Sequence, residues 1–184
     1  MAKIITLTGD LGSGKSTVSA ILKKELGFGY IYTGDILRRI AERHKMSVLE
    51  LNKYAETHPE IDEEVDNTFK NLADAENLII DSRLAWHFLP NSFKVFLTVC
   101  PDVAATRVFE DTMRSNEKYS SKEEALTYLS NRKQSELKRY RCLYGIDCTC
   151  AENYDIIVDT SDITPEEVAE KILGSYRLFN EKHS

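Results

Sequence analysis

Residues 9–17 read GDLGSGKST, between an apolar run, KIITLT, and a helix-patterned stretch, VSAILKKEL. Three glycines in nine residues free the backbone to wrap with its N–H groups pointing inward, around an anion. The spacing from Gly9 to Gly14-Lys15-Ser16 fits G-x-x-x-x-G-K-[ST], in which the lysine reaches the β- and γ-phosphates of a nucleotide and the hydroxyl ligates Mg²⁺. A helix starting near Lys15 aims the positive end of its dipole at the same phosphates. A solvated Gly/Ser turn uses similar residues, so the flanks decide. Ile4, Ile5 and Leu7 precede the loop as a short buried strand does, and Val18, Ile21, Leu22 and Leu26 repeat at helical spacing until Gly27 stops the helix. The expected ATP phosphate cradle is therefore Gly9, Asp10, Leu11, Gly12, Ser13, Gly14, Lys15, Ser16 and Thr17, with Lys15 catalytic.

Beyond this loop the chain alternates strand-like and helix-like segments. GYIYT (29–33), NLIID (77–81), FKVFLTV (93–99) and YDIIVDT (154–160) read as strands two to five. Ser47 and Glu50 form a capping box before one helix, and Ile61, Val65, Phe69 and Leu72 line one face of the next. Ser121 and Glu124 cap a long helix whose apolar positions run through Leu126, Leu129, Leu137 and Leu143 to Gly145, and Thr164-Pro165-Glu166-Glu167 starts the last. Apolar strands joined by helices predict an α/β fold: a three-layer P-loop NTPase arrangement, with a five-stranded parallel sheet, helices on both faces and ligands at the carboxyl ends of the strands.

The length of 184 residues suits one domain spanning 1–184. A formal net charge of -6 argues against a general nucleic-acid or anionic-membrane binder, while small anions remain suitable partners. Residues 1–8 lack the longer apolar core of a signal peptide and no run approaches the length of a membrane span, so a cytoplasmic location is expected. Cys100, Cys142, Cys148 and Cys150 lack the C-x₂₋₄-C spacing of a zinc hairpin and read as reduced thiols.

The strand ends carry the remaining chemistry. Strand two runs into Thr33-Gly34-Asp35, with Arg38 one turn into the next helix, and strand three runs into Asp81-Ser82-Arg83. An acidic residue ending a strand beside such a loop holds Mg²⁺ through water, which assigns Asp81 together with Ser16 to the metal; the alternative for Asp81 is a strand-end cap. Arg38 and Arg83 lie where a second phosphate-bearing molecule must enter, and the guanidinium fork grips phosphate oxygens bidentately. Arg132, Glu136 and Arg139 fall at i, i+4 and i+7 on one helix face, which suits either an active-site face or a solvated salt-bridge ladder. Arg107 and Arg114 are placed to flank the ATP.

The order P-loop, T-G-D-x-x-R, D-S-R and R-x-x-x-E-x-x-R resembles the cytidylate-kinase branch of the nucleoside monophosphate kinases over nearly the whole chain. The resemblance implies that Thr33, Gly34, Asp35 and Arg38 bind the acceptor nucleotide and that Arg83 grips its phosphate. It also implies that Arg132, Glu136 and Arg139 contact the acceptor ribose and the transferring phosphoryl, with Arg132 and Arg139 catalytic. Residues of about 40–76 then form the acceptor-binding helical insertion, and about 114–132 the lid. The implied reaction is ATP·Mg²⁺-dependent phosphoryl transfer to a nucleoside monophosphate, CMP or dCMP, in which the ionised acceptor phosphate needs no general base. Two other readings stay open: a kinase for a small-molecule hydroxyl, with Asp35 as its base, and a nucleotide-dependent switch that uses the helices of 40–76 to hold a partner.

Overall fold

The computed structural model describes residues 3–55, 57–111 and 119–182. In chain order the elements are β1 (Ile4–Gly9), α1 (Lys15–Leu26), β2 (Gly29–Tyr32), α2 (Thr33–Arg43), α3 (Val48–Ala55), α4 (Glu60–Lys70), β3 (Leu78–Asp81), α5 (Ala85–Phe88), β4 (Phe93–Thr98), α6 (Pro101–Glu110), α7 (Lys122–Tyr144), β5 (Ile156–Asp159) and α8 (Pro165–Lys182). A 3₁₀ turn, Ala151–Asn153, precedes β5. The five strands form one sheet in the order β2-β3-β1-β4-β5, all pairs parallel.

Alternation along the strands sorts their side chains between two helical layers. Ile5 and Leu7 of β1 and Ile79 of β3 pack with Val18 and Leu22 of α1 and with Val168, Ile172 and Tyr176 of α8. Ile4 and Ile80 face the other way, onto Ile36 and Ile40 of α2, Leu51 of α3 and Ile61 and Phe69 of α4. Each fully buried Leu, Ile or Phe contributes roughly 1.5–3 kcal/mol, so both layers are strongly held to the sheet. A third cluster, Ala104, Ala105 and Val108 of α6 with Ala125 and Leu129 of α7, seats α7 beside the carboxyl end of β4.

The caps follow the sequence signals. Glu50 N–H donates to Ser47 Oγ at 3.2 Å while Ser47 N–H donates to Glu50 Oε2 at 2.7 Å. Thr164 and Glu167 repeat the exchange before α8. At α7, Glu124 N–H donates to Ser121 Oγ, but the Glu124 carboxylate accepts from Ser120, one residue further out. Gly145 closes α7 in the left-handed conformation. Leu143, expected among the apolar positions of this helix, is exposed, and Tyr144 turns inward instead. Among the described residues no group of three or more His, Cys, Asp or Glu side chains is placed to hold a metal, and the four cysteines are free thiols.

Candidate active site

The loop between β1 and α1 lies directly on the sheet and on α6. A Cβ on Gly9 would stand 2.4 Å from the Leu97 carbonyl oxygen, and one on Gly12, at φ +79°, would stand 2.9 Å from Ala104 Cα. Ser13 fastens the loop to itself by donating its hydroxyl to the Asp10 carbonyl at 2.8 Å. Gly14, also left-handed, is the N-cap of α1 and brings no side chain to its first-turn N–H groups, which leaves them for an anion.

Lys15 folds back over this loop. Its ammonium donates to the carbonyls of Gly9 at 3.0 Å and Asp10 at 2.9 Å. Burial, followed by the positive charge of Arg83, lowers its pKa to about 7, against the opposing pull of Asp81, Glu136 and Asp10. An ammonium held with so little compensation is poised to gain from an incoming phosphate.

Asp81 ends β3 beneath Lys15. It is buried, which pushes its carboxyl above the ordinary range, while Lys15, Arg83 and a hydrogen bond from Tyr30 act against that shift. The Thr33 hydroxyl donates to the Asp81 carbonyl at 3.0 Å, joining the start of α2 to the end of β3. Mg²⁺ keeps several waters and takes one or two protein oxygens beside substrate phosphates, so the hard-oxygen pair of the Ser16 hydroxyl and the Asp81 carboxylate fits it.

From the opposite side, α7 closes on the loop through a chain of ion pairs. Arg83 donates to the Gly9 carbonyl and, through Nε, to Glu136 Oε2 at 2.9 Å; Arg132 Nε donates to Glu136 Oε1 at 3.2 Å. Lys133 reaches Asp10 Oδ1 at 2.6 Å. The i,i+4 pair expected of a surface ladder thus exists, but its carboxylate also binds a strand-end arginine and is mostly shielded from solvent. Arg107 anchors the far side of the loop, donating to the Thr160 carbonyl at 2.6 Å and to that of Gly12 at 3.4 Å.

Lys15 and Arg83 therefore share the Gly9 carbonyl, Glu136 joins Arg83 to Arg132, and Asp81 acts on Lys15 and Arg83 through its charge. Two expected acceptor residues stand apart from this group. Arg38 pairs with Asp35 on an exposed turn of α2, so Arg38 and Arg83 do not share a partner. Arg139 pairs with Asp62 of α4, and next to it the Tyr144 hydroxyl is shared between the Asp66 oxygens at 3.0 and 3.1 Å. Gly34 lies under the Tyr32 ring, which a Cβ there would meet at 2.3 Å. Arg114 and part of the 114–132 lid lie outside the described residues. Lys133, Tyr30, Asp62 and Asp66 were not singled out by the sequence; the first shared only its basic neighbourhood with Arg132, and the others carried no motif.

The sequence profile of the cytidylate kinase-like family matches residues 4–162. The cytidylate kinase of Thermoplasma volcanium is 40% identical over 175 residues, covering 92% of this chain and 89% of that protein. The cytidylate kinase of Pyrococcus abyssi is 40% identical over 166 residues, covering 90% and 88%. An S-adenosylmethionine-dependent nucleotide dehydratase of Lacinutrix mariniflava is 36% identical over 178 residues, and there the chain, matched over 96% of its own length, spans only 36% of the relative. Among solved structures, an uncharacterized protein of Eubacterium ventriosum superposes with a TM-score of 0.72 at 17% identity, over 93% of this chain and 96% of that one. Shikimate kinase of Acinetobacter baumannii in complex with shikimate gives 0.63 at 20% identity, over 98% and 95%. The likeness to shikimate kinase shows the α/β P-loop kinase fold. No helix among the described residues is long and apolar enough to cross a membrane. The phosphate-loop network, the fold and the family match across most of its length agree that the chain belongs to the cytidylate kinase-like family of kinases.

Proposed function

We propose that the chain is a nucleoside monophosphate kinase that transfers the γ-phosphoryl of ATP to CMP or dCMP. The observation that carries this reading is the Arg83–Glu136–Arg132 network laid against the glycine loop, because it sets cations on the side from which an acceptor phosphate must approach. Gly9–Thr17 hold the ATP phosphates, with Lys15 on the transferring group and Arg107 behind the loop. Thr33, Gly34 and Arg38 receive the acceptor, Arg38 exchanging Asp35 for phosphate. Arg139 exchanges Asp62 for the acceptor in the same way.

An acceptor phosphate oxygen attacks the γ-phosphorus in line. The bond to the ADP oxygen breaks as the new P–O bond forms, and ADP leaves with the electron pair. Lys15, Arg83 and Arg132 offset charge on the transferring oxygens. Ser16 and Asp81 would hold Mg²⁺, which would supply charge neutralisation to the nucleotide phosphates. A base is unnecessary because the acceptor phosphate is already ionised.

The test is acceptor-dependent ADP production with ATP·Mg²⁺ across CMP, dCMP, UMP, AMP, GMP and shikimate. CMP and dCMP are expected to give the highest kcat/KM. Turnover confined to a hydroxyl acceptor, or ADP release indifferent to every acceptor, would overturn the proposal in favour of a hydroxyl kinase or a nucleotide switch respectively.

A further inference from the structure

Tyr30 of β2 belongs to no motif, yet its hydroxyl donates to Asp81 Oδ2 at 3.3 Å. The register explains the meeting. Tyr30 pairs with Ile79, and Asp81 lies two residues on, so all three project from the same face of the sheet. That face is the one α1 covers, and Ser19, one turn beyond Lys15, is buried against the same phenol. Asp81 is thereby held twice: by Thr33 through its carbonyl at 3.0 Å and by Tyr30 through one carboxylate oxygen. Among the described residues, Oδ1 accepts no such bond, and it is the oxygen left to meet solvent on an ion.

We propose that Tyr30 is a positioning residue for the metal: its bond to Oδ2 fixes the plane of the Asp81 carboxylate, so that Oδ1 meets the water shell of a nucleotide-bound divalent cation. A carboxylate swings about its last single bond unless something holds it, and groups that orient metal-binding carboxylates shift metal affinity by about 10–100-fold. The inference rests on the proposed assignment of Asp81 to Mg²⁺.

The experiment is isothermal titration of the full chain with ADP, with and without Mg²⁺, for wild type, Tyr30→Phe, Asp81→Asn and the double variant. Thermal melting checks that each is folded. In wild type, Mg²⁺ should tighten ADP binding. Tyr30→Phe should leave metal-free ADP affinity within about twofold and reduce the Mg²⁺ enhancement about tenfold. Asp81→Asn should abolish the enhancement, and adding Tyr30→Phe to it should change nothing further, because the phenol acts only through the carboxylate. A full enhancement in Tyr30→Phe, with the loss confined to Asp81→Asn, would reduce Tyr30 to a structural partner. An enhancement that survives Asp81→Asn would overturn the metal assignment itself, and with it this proposal. If Tyr30→Phe fails to fold, Tyr30→Leu removes the same hydroxyl from Oδ2 with a smaller side chain, and a full Mg²⁺ enhancement in that variant would likewise overturn the proposal.

Discussion

Arg83 and Glu136 meet across the mouth of the glycine loop, Nε donating to Oε2 at 2.9 Å, and so join the end of β3 to the middle of α7. Because Glu136 also accepts from Arg132, one carboxylate sets the direction of the two cations proposed to meet the transferring phosphoryl. Glu136→Gln keeps the shape and removes the charge. Both arginines should then loosen, lowering kcat/KM for the acceptor by about tenfold while ATP affinity changes little. If Glu136 also accepts from a ribose hydroxyl, the KM for CMP should rise more than that for dCMP. Steady-state kinetics with both acceptors reads the two effects, and unchanged kinetics would return the pair to surface chemistry.

Lys15 provides a proton-linked signature of phosphate binding. Its pKa of about 7 in the free protein must rise when phosphates replace backbone carbonyls as its partners. Near pH 8 the free amine is largely neutral and the bound one charged, so ATP binding should take up a fraction of a proton. Near pH 6 the lysine is protonated in both states and its uptake should vanish. Titration calorimetry in buffers of differing ionisation enthalpy measures this directly. Lys15→Met should remove the pH 8 uptake and slow turnover by about 10²–10³-fold.

Gly12 sits at φ +79° with Ala104 directly behind it. Gly12→Ala should cost about 1–3 kcal/mol through backbone strain, and more through contact with the α6 backbone, which has no side-chain end to swing away. Melting should fall by roughly 2–4 °C per kcal/mol for a chain of this size. Ala104→Gly in the same chain should recover little, since Cα and the carbonyl oxygen of residue 104 remain in the way. Gly14→Ala makes the control: it shares the φ but meets nothing within 4 Å, so it should cost strain alone.

The fold was legible because each of its main signals is local. Strand runs, helix spacing, helix caps at Ser47, Ser121 and Thr164 and the glycine stops at Gly27 and Gly145 all operate within a few residues, and the strands emerge within two residues of their expected bounds. The short α5 left no periodic trace, since four residues make barely one turn. The glycine loop was legible for the same local reason. What sequence spacing did not reveal is pairing across the crevice. Lys133 with Asp10, Tyr30 with Asp81 and Arg139 with Asp62 join residues that only the tertiary fold brings together. Arg38 shows the converse: its motif predicts an acceptor contact, while in this structure the side chain is satisfied by its neighbour Asp35.

Asp66 and Tyr144 provide a second tie between α4 and α7, beside Arg139–Asp62, and so between the helices proposed to receive the acceptor and the helix carrying Glu136. Asp66 is buried, and burial raises its carboxyl pKa; the Tyr144 hydrogen bond opposes that rise. A folded pKa above the unfolded one means that the folded state binds the proton more tightly. The charged carboxylate therefore weakens the fold at neutral pH, and the penalty fades as pH falls through the raised value towards the ordinary carboxylate range. Tyr144→Phe removes the donor that stabilises the charge and should raise the Asp66 pKa further. Its cost should be largest at pH 7, about 1.5–3 kcal/mol for a hydrogen bond to a charged group, and should shrink at acid pH as Asp66 takes up its proton. Urea unfolding of wild type and variant at the two pH values measures the difference. Loosening this tie should also raise the acceptor KM with little change in the KM for ATP, because the glycine loop lies on β4 and α6 rather than on α4. A cost independent of pH would mean that Tyr144 contributes packing alone, and a KM change confined to ATP would move the acceptor away from α4.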